Sequence, residues 1–201
     1  MDTNKTSSQN INQIIKDELS LGNELAKLIK VGDINNSIQK LYGDLLVCTA
    51  NESHVKELGE LWANLAAVQQ IVAPDRYNFL PEGKDWQSFV RKKIARKNNL
   101  LLVMHKKDDL EIKGFLYLQT IMVPSSELIL KGLIEDIYTK PQYRKQYVAF
   151  KLLDTATEWS LSQNIKQVDL IALGRSKDLT EFYLKVIKKI KNDIKLELLM
   201  T

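Results

Sequence analysis

The sequence predicts an α/β fold in which helices flank one central mixed sheet. Apolar residues repeat at helical spacing in several segments, and short apolar runs between them indicate strands. The two kinds of segment interleave along the chain, which is typical of a layered α/β domain. With 201 residues, 44% of them hydrophobic and 27% charged, the chain is long enough for one domain with a substantial core.

The first 42 residues are expected to form an extension to this domain. Residues 1–10 are polar and predict a disordered start. Apolar residues at helical spacing predict a helix over 11–30, and Asp33 is suited to cap a second short helix over 34–42. These segments hold too few apolar residues for a core of their own. We therefore expect them to pack along the edge of the main domain or across the interface of a homodimer.

The main domain is predicted to span residues 43–201, where short apolar runs that indicate strands begin. Asn51 or Ser53 is placed to cap a helix whose apolar face includes Val55, Leu58 and Trp62. Strands are predicted over 45–49, 100–105, 112–122, 133–139, 168–173 and 194–200, and further helices over 86–94, 148–161 and 179–190.

Composition argues against several classes of function. The net charge of +4 comes from basic residues scattered among acidic ones, so no nucleic-acid surface is predicted. The single cysteine, Cys48, excludes an intramolecular disulfide, and its apolar neighbours predict a buried, inert thiol. His54 and His105 lack metal-ligand spacing, so no metal site is predicted. Without a signal peptide or an apolar run of about 18–20 residues, we expect a cytoplasmic protein that does not enter a membrane.

The segment from Gly132 to Leu153 carries the clearest chemical signal. It is predicted to be a strand, a short polar turn and an amphipathic helix that begins at the turn. The first amides of such a helix have no internal partner and its dipole makes that end positive, so the turn is suited to bind phosphate. Arg144, Lys145 and Lys151 add positive charge. Any strand–turn–helix offers as much, so the residues alone indicate only a candidate anion site.

The order of residues in this segment resembles the central motif of the GNAT superfamily of acyl-CoA N-acyltransferases. The motif is carried by Ile134-Glu135-Asp136-Ile137-Tyr138, by Pro141-x-Tyr143-Arg144 and by the helix that follows. A weaker resemblance extends from about Leu45 to Tyr183. It implies a GNAT-like fold with a mostly antiparallel central sheet flanked by helices. It also implies an N-acetyltransferase that moves an acetyl group from acetyl-CoA to an amine of a small molecule or a protein.

The resemblance further implies where acetyl-CoA binds. Backbone groups of Ile137, Tyr138 and Thr139 would align the thioester. The family's pyrophosphate turn has the pattern Q/R-x-x-G-x-G/A, which falls here on Arg144, Lys145, Gln146, Tyr147, Val148 and Ala149. Tyr147 stands where the family has glycine, so its amide is retained while its ring must point away or intrude. Ser176 takes the place of a family asparagine that contacts the cofactor.

Catalytic residues are implied in the same way. Glu135 and Asp136 are adjacent on a strand, so we expect their side chains on opposite faces. Glu135 resembles the base or amine-binding group and Asp136 a substrate-binding group, although a carboxylate here could also pair with a nearby lysine. Tyr183 resembles the tyrosine that protonates the departing thiolate, with an ordinary place at the edge of the core as the alternative. Tyr77 is a candidate for acceptor binding or for packing.

Two functions stay open at this level. One is the N-acetyltransferase. The other is a non-catalytic GNAT-fold module for binding or assembly, with weakened or lost CoA binding. Tyr147, Ser176 and the single closing strand depart from the family pattern and favour the second.

Overall fold

A seven-stranded sheet organises the part of the chain that the structure describes. In this computed structural model the described residues are 37–74, 85–123, 129–172, 181, 183–185 and 194–200. The strands are β1 (Gln39–Tyr42), β2 (Leu45–Thr49), β3 (Asn99–Lys106), β4 (Asp109–Val123), β5 (Ile129–Thr139), β6 (Gln167–Ala172) and β7 (Lys195–Met200). The helices are α1 (Val55–Val72), α2 (Trp86–Ile94) and α3 (Val148–Ser162), and Glu181 and residues 183–185 are also helical.

The strands lie in chain order across the sheet. Neighbours from β1 to β5 are antiparallel, whereas β6 is parallel to β5 and β7 is parallel to β6. The sheet is therefore mixed and mostly antiparallel, which confirms the predicted fold class. Within the described residues, no helix is long and apolar enough to cross a bilayer.

The core lies on both faces of the central strands. Seven of the eight residues of β3 are buried, as expected for a strand covered on both sides. On one face, α1 and α2 pack against alternate residues of β2 to β5, with the Trp62 ring 4.5 Å from that of Phe115. Helix α3 packs on the other face, where a Cβ placed on Gly114 would meet the side chain of Val148. The helices on the two faces thus hold the central strands, which include the strand that carries the site described below.

Asn51, a predicted cap of α1, instead caps the short 3₁₀ turn that precedes this helix, and α1 itself begins after His54 without a side-chain cap. Asn51 Oδ1 accepts a hydrogen bond from the amide of Ser53 at 3.0 Å, and the amide of Asn51 donates to His54 Nδ1 at 3.0 Å. This reciprocal capping box satisfies backbone groups at the short 3₁₀ turn, residues 52–54, that precedes α1. It also draws His54 inward, where only 5% of the residue is exposed.

The start of the sheet differs from the prediction. Residues 39–42, expected to end a helix, form β1, which pairs with β2 through a two-residue turn at Gly43 and Asp44. Gly43 has φ of 68°, the left-handed conformation that glycine adopts at little cost and that such hairpins require. Backbone pairing with β2 therefore outweighs the weak helical pattern. The predicted helix over 11–30, residues 34–36 and most of the predicted helix over 179–190 lie outside the described residues.

Candidate functional site

The central feature of the candidate site is the point where β5 and β6 separate. Their parallel pairing ends at Ile134↔Leu170. From residue 135 onward, the edge of β5 that faces away from β4 pairs with no strand among the described residues. Ile137, Tyr138 and Thr139, which were predicted to align a thioester, lie on this open edge. Backbone groups on such an edge are available to a ligand.

A β-bulge lies at the start of the open edge. Asp136 pairs with Tyr117 and Ile134 pairs with Leu118, so Glu135 is the extra residue on β5. Because of this extra residue, Glu135 and Asp136 both point to the face covered by α1 and α2, where each finds its hydrogen-bond partner. The expectation that the two carboxylates point to opposite faces is therefore wrong.

Glu135 forms an ion pair with a lysine of α2. Lys93 Nζ lies 3.1 Å from Glu135 Oε2, and the two side chains are 14% and 30% exposed. The same ammonium lies 4.0 Å from the centroid of the Tyr117 ring, a favourable cation–π distance. Among the described residues, none donates a hydrogen bond to the other carboxylate oxygen of Glu135. The ion pair thus holds this side chain at the bulge and leaves one oxygen available.

Asp136 is held by two donors from α1. Trp62 Nε1–H donates to Oδ2 at 3.0 Å, and Gln69 Nε2 donates to Oδ1 at 3.3 Å. Burial raises the pKa of Asp136 above its usual range, and these two hydrogen bonds and the charge of Lys93 oppose that rise. Because both oxygens are engaged, this carboxylate joins α1 to β5 at the start of the open edge.

The turn between β5 and α3 has a strained backbone. Lys145 and Tyr147 have φ of 64° and 61°, in the left-handed region that few non-glycine residues adopt. With ψ of 14°, Tyr147 takes the conformation that glycine takes most easily, and it is the N-cap of α3. The residue is 67% exposed, so its ring is not packed into the protein.

The beginning of α3 fits an anionic ligand. Its first amides have no partner within the helix, and Tyr147 provides no side-chain cap. Residues 144–147 are exposed, and Arg144 and Lys145 add charge at the positive end of the helix dipole. At the end of β5, Thr139 Oγ1 is buried with no hydrogen-bond partner among the described residues. A ligand with oxygen atoms at this position would satisfy these groups.

An ion network fixes the start of the turn. Lys140 Nζ lies 2.7 Å from Glu57 Oε1 on α1 and 2.8 Å from Glu111 Oε1 on β4. Tyr143 Oη donates to Glu111 Oε2 at 2.6 Å, and Lys113 Nζ lies 3.7 Å from the centroid of the Tyr143 ring. Burial acts against the charge of Lys140, but its hydrogen bonds to the two carboxylates raise its pKa above the usual value. The same network, led by the bond from Lys140, lowers the pKa of Glu111.

A glycine of β4 allows the turn to lie close to the sheet. A Cβ on Gly114 would lie 2.6 Å from the carbonyl oxygen of Tyr138 and 2.8 Å from Val148 Cγ1. Both distances are shorter than van der Waals contact. Gly114 therefore sets the approach of the end of β5 and the beginning of α3, and sequence analysis did not single it out.

Tyr183 is buried, with 6% of the residue exposed. Burial raises the pKa of its hydroxyl well above the usual range, which makes the group a weaker acid than an exposed tyrosine. A neutral hydroxyl is able to donate a proton to a stronger base that forms beside it.

A comparison with protein families identifies the chain. The model of the Acetyltransferase (GNAT) family matches residues 65–186. The chain belongs to this GNAT family. The match spans α2, the separation of β5 and β6, the turn and Tyr183.

Solved structures support the GNAT fold at low sequence identity. A tetramutant of the BH1408 protein from Bacillus halodurans aligns with a TM-score of 0.62 and 10% identity, over 70% of this chain and 90% of that one. An aminoglycoside acetyltransferase from an uncultured soil metagenomic sample aligns with a TM-score of 0.57 and 13% identity, over 74% and 91%. The ribosomal-protein-alanine N-acetyltransferase of Brucella melitensis gives 0.54 and 13%, over 70% and 89%. No curated protein sequence matches the chain.

The structure brings the predicted turn residues of the GNAT motif together. Arg144, Lys145, Gln146, Tyr147, Val148 and Ala149 form one exposed turn and the start of α3. Arg144 Nε donates to the carbonyl oxygen of Thr139 at 3.4 Å, which ties the turn to the end of β5. Tyr77 and Ser176 lie outside the described residues.

One group of side chains was not expected. Cys48 and His105, on β2 and β3, meet His54 from the turn before α1, and all three are buried. Their possible metal-ligating atoms lie within 4.8 Å of one another. Cys48 is buried as predicted, and burial raises the pKa of its thiol. The two histidines are 51 positions apart, so only the strand register, which the sequence does not display, reveals the group.

Proposed function

We propose that this protein is an N-acetyltransferase that moves the acetyl group of acetyl-CoA to a primary amine by direct attack. The observation that carries the proposal is the separation of β5 from β6 after Ile134, with two carboxylates at its start and an anion-binding turn at its end. The acyl-CoA would lie along the open edge, with its thioester beside residues 137–139 and its pyrophosphate at the turn. Membership of the GNAT family supports this arrangement.

The turn would bind pyrophosphate through its backbone. The amides at the start of α3 have no side-chain cap from Tyr147, residues 144–147 are exposed, and Arg144 and Lys145 supply charge. The left-handed backbone at Tyr147 gives the turn the conformation that a glycine would give it. The exposed ring leaves the amide in place, so the substitution retains the binding groups.

The carboxylates would act on the amine. Glu135 Oε1, which no described residue engages, would accept the proton of the substrate ammonium through a water molecule. The amine nitrogen then attacks the thioester carbonyl and the carbon–sulfur bond breaks. The neutral hydroxyl of Tyr183 would donate its proton to the thiolate as it leaves. Asp136 would shape the acceptor side through Trp62 and Gln69.

The acceptor is proposed only as a class. A structurally similar protein is named an aminoglycoside acetyltransferase and another a ribosomal-protein-alanine N-acetyltransferase. Both names describe acetylation of amines, one on a small molecule and one on a protein. We therefore propose a small-molecule or protein amine for this chain.

Binding of acetyl-CoA to the full chain, measured by isothermal titration calorimetry, is the first test. We expect a dissociation constant between about 1 μM and 1 mM, the usual range for such substrates. Lys145→Ala should weaken binding because this charge lies at the turn, whereas Lys107→Ala, an exposed lysine in the turn between β3 and β4, should not. No heat of binding up to millimolar acetyl-CoA would contradict the enzymatic proposal.

Turnover is the second test. Release of free CoA should require a primary amine and should fail with a tertiary amine, which has no proton to lose. Glu135→Gln should lower kcat with little change in acetyl-CoA affinity, and Glu60→Gln, an exposed glutamate on α1, is its matched control. Binding without turnover across primary amines would instead favour a non-catalytic CoA-binding module, the alternative that the tyrosine at position 147 motivates.

A further inference from the structure

The three-residue group of Cys48, His54 and His105 lies apart from the proposed acetyl-transfer site. Cys48 and His105 are on β2 and β3, whereas the open edge belongs to β5, on the far side of β4. All three residues are at most 7% exposed, and their ligand atoms lie within 4.8 Å of one another. A thiol and two imidazoles are the side chains that Zn²⁺ prefers. The proposed transfer reaction uses none of them.

The spacing of two of these atoms matches a tetrahedral ion. Cys48 Sγ lies 3.6 Å from His105 Nε2. A tetrahedral Zn²⁺ with Zn–S of about 2.3 Å and Zn–N of about 2.05 Å separates its sulfur and nitrogen ligands by about 3.6 Å. The distance between these two atoms therefore already fits the ion.

The tautomer of His105 is also the one that a ligand requires. Its Nδ1 lies 2.6 Å from the carbonyl oxygen of Lys106, which can only accept, so Nδ1 carries the proton. The lone pair of Nε2 therefore points toward Cys48. A backbone carbonyl that accepts from the second ring nitrogen is the usual support of a metal-bound histidine.

His54 completes the set after one local change. Its Nδ1 now accepts the amide of Asn51, so a neutral ring carries its proton on Nε2. Coordination through Nε2 requires that proton to move to Nδ1, which would then face the amide of Asn51 donor to donor, so this bond of the capping box breaks and the two groups move apart. Three protein ligands leave a fourth position for water.

We propose that Cys48, His54 and His105 form a binding site for Zn²⁺ that links the beginning of α1 to β2 and β3. Binding replaces the hydrogen of the Cys48 thiol by the metal and releases one proton to solvent. Helix α1 also carries Trp62 and Gln69, which hold Asp136, so the ion would stabilise the helix that positions this carboxylate at the open edge of β5.

Cobalt substitution tests the site directly. The metal-free full chain is titrated with Co²⁺, and a thiolate-to-cobalt charge-transfer band in the near ultraviolet is measured. Because Cys48 is the only cysteine in the chain, any such band reports on this residue. We expect the band to saturate at one equivalent and to disappear when one equivalent of Zn²⁺ is added.

Variants separate this site from adventitious binding. Cys48→Ala should abolish the band, and His105→Gln should weaken Co²⁺ binding roughly 100-fold, since even the outer partners of such ligands contribute 10–100-fold. Met104→Leu, which replaces the neighbouring buried sulfur, should leave the band unchanged. Circular dichroism confirms that each variant is folded. A folded wild-type chain without the band in excess Co²⁺, or an unchanged band in His105→Gln, would overturn the proposal.

Discussion

Replacing Tyr147 by glycine should stabilise the protein. The left-handed backbone at this position costs a residue with a Cβ about 1–2 kcal/mol, and glycine avoids that cost. The greater freedom of glycine in the unfolded chain offsets about 0.4–1 kcal/mol of the gain. Because the tyrosine is 67% exposed, its removal loses little packing. The net increase in the free energy of unfolding should be about 0.5–1 kcal/mol, which corresponds to a rise in Tm of about 1–4 °C.

Tyr147→Ala is the matched control. Alanine removes the same ring but keeps the Cβ, so the backbone strain stays and the unfolding free energy should change by less than about 0.5 kcal/mol. Urea unfolding of both variants, followed by circular dichroism, gives the difference between them. Equal stability of the glycine and alanine variants, or a glycine variant less stable than the wild type, would refute the argument from backbone strain.

The same pair of variants tests how the side chain at position 147 affects the affinity for acetyl-CoA. Because Tyr147 already has the backbone conformation of a glycine, its amide should need no rearrangement to bind pyrophosphate. Tyr147→Gly should therefore change acetyl-CoA affinity by less than about threefold, or about 0.7 kcal/mol. A gain of tenfold or more in both variants would show instead that the exposed ring blocks the site.

Three further predictions concern the surroundings of the site. Gly114→Ala should lower the free energy of unfolding by about 1–3 kcal/mol and raise KM for acetyl-CoA, because its Cβ meets both sides of the turn. Asp136 has a higher pKa in the folded state than in the unfolded state. The free energy of unfolding should therefore fall as the pH rises from the unfolded-state pKa to the folded-state pKa, and Asp136→Asn should remove this dependence. Glu111 has a lowered pKa in the folded state. Its contribution to the free energy of unfolding should therefore be fully present above its unfolded-state pKa of about 4.3 and should be lost as the pH falls below that value. Glu111→Gln should remove this pH-dependent contribution.

Urea unfolding across a pH series measures all three effects, and steady-state kinetics gives KM. Gly59→Ala is the control for Gly114→Ala, because a Cβ there makes only ordinary contacts at 3.4 Å or more and its helical position favours alanine. A Gly114→Ala protein as stable as the wild type would contradict the close approach. Identical pH profiles for wild type and Asp136→Asn, or for wild type and Glu111→Gln, would contradict the assigned pKa shifts.

Helices and strands with long, regular apolar patterns could be predicted from the sequence, whereas short elements without such a pattern could not. Helix α3 and strand β3 have long apolar patterns, and the sequence located both. The four residues of β1 have no such pattern, because their side chains alternate between exposed and half-buried, and the half-buried Lys40 and Tyr42 make polar contacts with Asp154 of α3. A signal was nevertheless present: Gly43-Asp44 between two short runs is a typical two-residue hairpin loop.

The site was predictable where a motif is continuous in sequence. The turn from Arg144 to Ala149 is continuous, and the structure places these residues together. The common orientation of Glu135 and Asp136 was not predictable, because a bulge adds one residue to one strand without a characteristic residue type. The partners of these carboxylates, Lys93 and Trp62, come from separate helices, and their positions depend on how those helices pack.

The glycine of the family turn is replaceable here because contacts outside the turn impose its conformation. Lys140 anchors one end through Glu57 and Glu111, and Gly114 lets the other end lie against β4. With both ends fixed, the residue at position 147 must adopt a left-handed backbone whatever its side chain, at a cost of about 1–2 kcal/mol. A domain of this size tolerates that cost because its stability is several times larger. The missing glycine therefore indicates a strained turn rather than a lost one, and the amides proposed to bind pyrophosphate keep their places.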